Sequence, residues 1–172
     1  MISSLILDYM LAQQKIFKPV FPSYFSLREL TDLYFDNFAI SYISLSPKER
    51  NNYFGNYSNS GLKEKLEGKI TVKAWKELPQ NFKNCLLGDF KLEPNGFSGI
   101  IMIDNRMSWE NSRKFIPKII TSFKSRSTKL LNQFHGTHGR VFWENNYSEG
   151  MIDNVEDLKQ ALDRINSGYI PL

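Results

Sequence analysis

The chain of 172 residues is short of the residues that most often cross-link a fold or ligate metals: one cysteine, Cys85, and two histidines, His135 and His138. A single cysteine excludes a disulfide framework and a cysteine-based zinc site within one chain. It fits a reducing, cytoplasmic setting. Two histidines are a meagre supply for an imidazole-based metal centre. No run approaches the roughly 18 apolar residues of a membrane span, so no membrane partner is expected. The opening segment, MISSLILDYMLAQQ, has no basic region, and Asp8 interrupts its apolar stretch, so a signal peptide is not expected. No segment repeats and none is of low complexity.

What is present is a core and an uneven charge. Apolar residues make up 41% of the chain, enough for one ordinary domain and too many for disorder. The net charge is +4. Between Arg106 and Trp143 there are eight lysines and arginines against one acid, Glu110. That stretch nets +7, so the remainder nets −3. A stripe of this kind is the electrostatic footprint of a phosphate-backbone binder, with a solvated helix face as the plainer alternative.

The pattern of elements runs as follows. Residues 1–36 read as a helical extension, with helices over 4–16 and after the capping box Ser26–Glu29. The remainder, 37–172, reads as the main domain. FAISYISL (38–45) is apolar and β-rich, a strand. SPKERNNYFGNYSNSG reads as a loop. LKEKLEGKITVKAWKEL (62–78) reads as a helix stopped by Pro79, with Gly68 a weak point inside it. LLGDFKL (86–92) and FSGIIMI (97–103) are strands joined by the tight turn Glu93-Pro94-Asn95-Gly96. A helix is expected over about 112–134, its start slipping toward 116 because proline at 117 suits only a first turn. RVFW and the segment to Ile152 give a last strand. Asn154 caps a final amphipathic helix, VEDLKQALDRIN, ended by Gly168. The order β-α-β-β-α-β predicts an α+β, ferredoxin-like fold: one antiparallel sheet with helices on one face, plus the extra C-terminal helix and the N-terminal helical extension.

Several segments, in this order, resemble one family. They are YFG at 53–55, Gly68 and Trp75, LGDFKLEPNGFSGIIMID at 87–104, SFKSRSTK at 122–129, GTHGRVFW at 136–143 and NNYSEGMIDNVEDL at 145–158. Together they are similar to the REP-associated tyrosine transposases, a branch of the single-tyrosine HUH transposases. The resemblance implies a ferredoxin-like fold and chemistry on single-stranded DNA beside hairpins. In that family two histidines of a PNHxHG pattern hold a divalent cation, and a tyrosine on a later helix attacks the phosphate. Residues i and i+2 of a strand share a face, which is why two such imidazoles can share one metal.

The chain departs from the family at those positions. PNHxHG has become Pro94-Asn95-Gly96-Phe97-Ser98-Gly99, and the tyrosine falls in register on Arg164. Tyr169 lies five residues on, off the same helix face. The catalytic positions are thus read as degenerate (Gly96, Ser98 and Arg164), with no metal, no cofactor and the ancestral Mg²⁺/Mn²⁺ site lost. The expectation is a catalytically inactive, transposase-derived protein that binds nucleic acid: hairpin or single-stranded DNA, possibly RNA. Lys114, Lys118, Lys124, Arg126, Lys129 and Arg140 are expected to meet phosphates. Trp143 and Tyr147 offer rings for base stacking, with core packing as the alternative, favoured for Trp143. His135 and His138 are read as loop histidines. The alternative function is a structural or interaction subunit, pairing as a homodimer or with a protein partner through 1–36. A third is residual transposase activity.

Overall fold

A computed structural model describes residues 35, 37–49, 51–59, 61–104 and 109–167, the side chains of 109–113 excepted. The expected extension over 1–36, Arg106, and Gly168-Tyr169 therefore lie outside the described residues, apart from residue 35.

Four strands form the main sheet: β1 (Phe38–Leu45), β4 (Cys85–Glu93), β5 (Gly96–Asp104) and β6 (Ser148–Ile152). Their spatial order is β4-β5-β1-β6, and every neighbouring pair is antiparallel. Alternation along β1 and β5 decides which layer each side chain enters. Ala39, Ile43 and Leu45 join Phe97, Ile101 and Ile103 on one face; Ile40 joins Ile100 and Met102 on the other. Both faces are apolar because both are covered. On the first lie the crossover helices α1 (Leu66–Lys76) and α3 (Trp109–His135), packed through Trp75, Ile116, Ile119, Ile120 and Phe123. On the second lies α4 (Val155–Asn166), through Leu158, Ala161 and Ile165. The crossover helices share one face as expected, and the extra C-terminal helix closes the other.

Two glycines are close-approach positions. A Cβ on Gly99 would stand 2.8 Å from Trp75 Cζ2, so its absence lets the indole approach the sheet. A Cβ on Gly68 would stand 2.7 Å from Leu92 Cδ2 and 2.8 Å from the Phe54 carbonyl. Gly68 lowers helix propensity, but it brings α1 against the strands. The final helix begins as expected: Asn154 accepts the Asp157 N–H at 3.0 Å.

The structure differs from the sequence reading at four places. A hairpin, β2 (Gly55–Ser58) with β3 (Gly61–Glu64), lies partly in the segment read as a loop and partly in the one read as a helix over 62–78, so α1 begins only at Leu66. The hairpin strands are short and almost wholly exposed, so they carry no apolar alternation to read. Pro79 lies in the first turn of a short helix, α2 (Leu78–Asn81), where its missing N–H costs nothing. Helix α3 begins at Trp109, so Pro117 is interior. There it forfeits the hydrogen bond to residue 113's carbonyl, on an exposed side of the helix. Finally, Arg140–Trp143 is not part of the last strand. It touches the sheet by the Pro47–Trp143 bridge and by Lys48 N–H to the Phe142 carbonyl, 2.9 Å. Phe142 and Trp143 are both buried, so this stretch plugs the core rather than alternating across a sheet.

Candidate nucleic-acid interface

Helix α3 carries most of the basic residues the sequence pointed to. Ile116, Ile119, Ile120, Phe123 and Leu131 bind it to the sheet. Ser127 lies among them, fully buried and doubly satisfied: its hydroxyl donates to the Phe123 carbonyl at 2.7 Å and accepts from Trp143 Nε1 at 2.8 Å. Trp143 is 2% exposed. It is therefore a core residue, the reading favoured for it from the sequence, and not the stacking platform named as its other role. A buried indole needs a partner for its N–H, and Ser127 supplies it.

Lys124 is also structural. Its ammonium donates to the carbonyls of Glu144, Asn145 and Asn146 at 2.8, 3.0 and 3.2 Å and lies 5.6 Å from the Tyr147 ring centre. Burial lowers its pKa, and the Glu144 charge raises it in part. It gathers the loop 144–147 onto α3. Tyr147 is held by Lys124 over its ring and by its own hydroxyl donating to Glu149 at 3.3 Å. Burial, then the Glu149 charge, raises its phenol pKa. Ser41 donates to the other Glu149 oxygen at 3.0 Å.

The remaining cations divide. Arg126 turns toward α1 and pairs with Glu77 at 3.1 Å. Arg140 pairs with Glu49 at 2.7 Å and lies 5.6 Å from the Tyr53 ring. Lys114, Lys118 and Lys129 are exposed; Lys118 has the Phe115 ring at 5.3 Å. His135 ends α3, where its Nε2 meets Tyr53 Oη at 3.4 Å and Glu67 at 3.5 Å. His138 lines the groove described next, and His135 does not.

An open groove of about 1000 Å³ runs between α3 and the loop 136–147. Lys124, Lys129, Arg140, Trp143 and Tyr147 all line it, together with His138. Lys114, Lys118 and Arg126 do not. Sequence reasoning missed the row Thr121, Ser125 and Thr128, which lines the same groove at i, i+4 and i+7. Helical spacing in TSFKSRST was the available signal.

On the opposite face of the sheet, Gly96 and Ser98 open β5. Ser98 pairs across to Ser44 on one side and Lys91 on the other. Lys91 donates to the Ser167 carbonyl at 2.6 Å and pairs with Glu93 at 3.1 Å. Arg164 lies 5.8 Å from the ring of Tyr42, a strand tyrosine on this same face. Gly96 has no ligand atom and Ser98 offers a neutral hydroxyl. The charged cross-strand neighbours are Glu93 opposite Gly96 and Lys91 opposite Ser98, and the two are paired with each other. That set is a poor fit to a divalent cation. Among the described residues, no group of three or more His, Cys, Asp or Glu is placed to hold a metal ion.

The element order and the β4-β5-β1-β6 sheet define a ferredoxin-like α+β protein. No family model matches the chain, and no curated protein matches it. Among solved structures it is similar to a REP-associated tyrosine transposase bound to a REP hairpin. The two share 10% sequence identity over 84% of this chain and 68% of that one, with a TM-score of 0.46.

Proposed function

We propose that the protein binds nucleic acid along the groove between α3 and the loop 136–147, and that it does so without cutting the strand. The observation that carries this reading is convergence. Lys129 and Arg140, separated in sequence, meet at one groove with three α3 hydroxyls and the ring of Tyr147. Cations neutralise phosphates and release counterions. Hydroxyls donate to phosphate oxygens. An aromatic face takes an unpaired base at about 1–3 kcal/mol. Tyr147 is pre-positioned for that contact, since Lys124 and Glu149 hold it from two sides.

Lys124 shapes the groove; Lys129 and the flanking Lys118 are the solvated charges that meet the backbone. Binding without cleavage is supported by the opposite face. There Gly96, Ser98 and Arg164 supply neither a metal ligand nor an activated nucleophile.

The test is fluorescence anisotropy of the full chain with a labelled DNA hairpin carrying a single-stranded tail. Affinity should fall steeply as salt rises. Lys118→Glu with Lys129→Glu should weaken binding at least about tenfold, since each reversal removes one phosphate contact and adds a repulsion. Affinity indifferent to salt and to both reversals would refute the reading. Incubation with the same DNA and Mg²⁺ or Mn²⁺ should leave no protein–DNA adduct; a covalent adduct would refute the second half.

A further inference from the structure

The basic residues at positions 124, 126 and 140 are engaged inside the molecule: Lys124 with loop carbonyls, Arg126 with Glu77, Arg140 with Glu49. A different row of cations is not. On α1, Lys69, Lys73 and Lys76 stand at i, i+4 and i+7, all exposed. They lie opposite the face through which Gly68, Thr71, Ala74 and Trp75 are buried. The side chains of Lys69 and Lys73 make no hydrogen bond or ion pair among the described residues, and Lys76 has the Phe90 ring at 5.6 Å.

Like charges four residues apart repel one another and disfavour the helix that carries them. The nearest acids do little to offset this. Glu77 borders the row, but its carboxylate is taken by Arg126 from α3. Glu64 is the other acid in the shallow hollow of about 380 Å³ along the row. The hollow floor includes Val72, and Gln80 extends its polar rim.

We propose that this lysine row is a second phosphate-contacting track, so that the bound nucleic acid engages α1 as well as the α3 groove. The inference rests on the nucleic-acid reading above. Residues 69 to 76 span about 10.5 Å of helix axis. One DNA strand carries a phosphate per roughly 3.4 Å of axis, so about three phosphates fall within that length. Helices α1 and α3 pack on the same face of the sheet, so track and groove belong to one helix layer. In KITVKAWK (69–76) the three lysines stand with no acid between them, flanked by Glu64, Glu67 and Glu77.

The experiment compares the full chain with Lys69→Ala/Lys73→Ala/Lys76→Ala, and with the corresponding triple arginine variant, using the same labelled hairpin. Loss of three phosphate contacts should make the salt slope shallower by about 2 to 3 and lower affinity at low salt by at least about tenfold. The arginine variant should keep the slope of the unaltered protein, which separates charge from helix damage. If the unaltered protein binds and the alanine triple binds with the same slope, the track is overturned while the groove stands. If the unaltered protein fails to bind at low salt, the nucleic-acid reading falls, and this inference with it.

Discussion

Lys124 illustrates how a residue's type and its place can point to different roles. A lysine in a basic helix reads as a phosphate contact. Here three backbone carbonyls beyond Trp143 receive its ammonium. Residues 144–146 are exposed, so water replaces the ammonium once it is removed. Lys124→Ala should therefore lower unfolding free energy by about 0.5–1.5 kcal/mol in a denaturant titration. Lys129→Ala, exposed on the same helix, should change it by less than about 0.5 kcal/mol. Equal effects would mean that the carbonyl clamp contributes nothing. Trp143 repeats the lesson. Its ring was a candidate stacking surface, yet the Ser127 hydroxyl below it marks it as core. No local pattern in HGTHGRVFW distinguishes the two, since an aromatic beside an arginine serves either purpose.

At the scale of elements, helix and strand positions were legible wherever an apolar period was strong. β1, β4, β5 and α4 fall within a residue or so of their expected bounds. The misses have separate causes. β2 and β3 pair through backbone groups with little burial, so their side chains are free to be polar. α3 tolerates Pro117 because Ile116, Ile119, Ile120 and Phe123 are wholly buried around it. Each such side chain contributes about 1.5–3 kcal/mol, enough to outweigh one lost hydrogen bond. The β5–α1 contact depends on Gly99 in the same way. Gly99→Ala would drive a methyl to 2.8 Å from the Trp75 ring, inside van der Waals contact. Such overpacking should cost about 1–3 kcal/mol, seen as a lowered Tm. An unchanged Tm would show that the indole slides away freely.

For the whole molecule, Cys85 is a reporter. It is 1% exposed at the start of β4, and burial pushes its thiol from an ordinary 9.0 up to about 12. At pH 8 native Cys85 should resist a thiol reagent and react only as the core opens, so the labelling rate should climb with denaturant. Prompt labelling in native buffer would contradict the burial. The linkage has a definite sign. A folded pKa above the unfolded one stabilises the fold fully below pH 9, and that contribution is lost as pH rises toward 12. Stability should thus be flat in this respect at neutral pH and decline above about pH 9.

The order of the main elements and the basic content of residues 106–143 were written in the sequence, because periodicity and composition are local quantities. Tertiary structure decided which cations remain free. Ion pairs such as Arg126–Glu77 and Arg140–Glu49 join residues 49 and 91 positions apart. A charge is cancelled by what lies beside it in space, and no count along the chain records that neighbour.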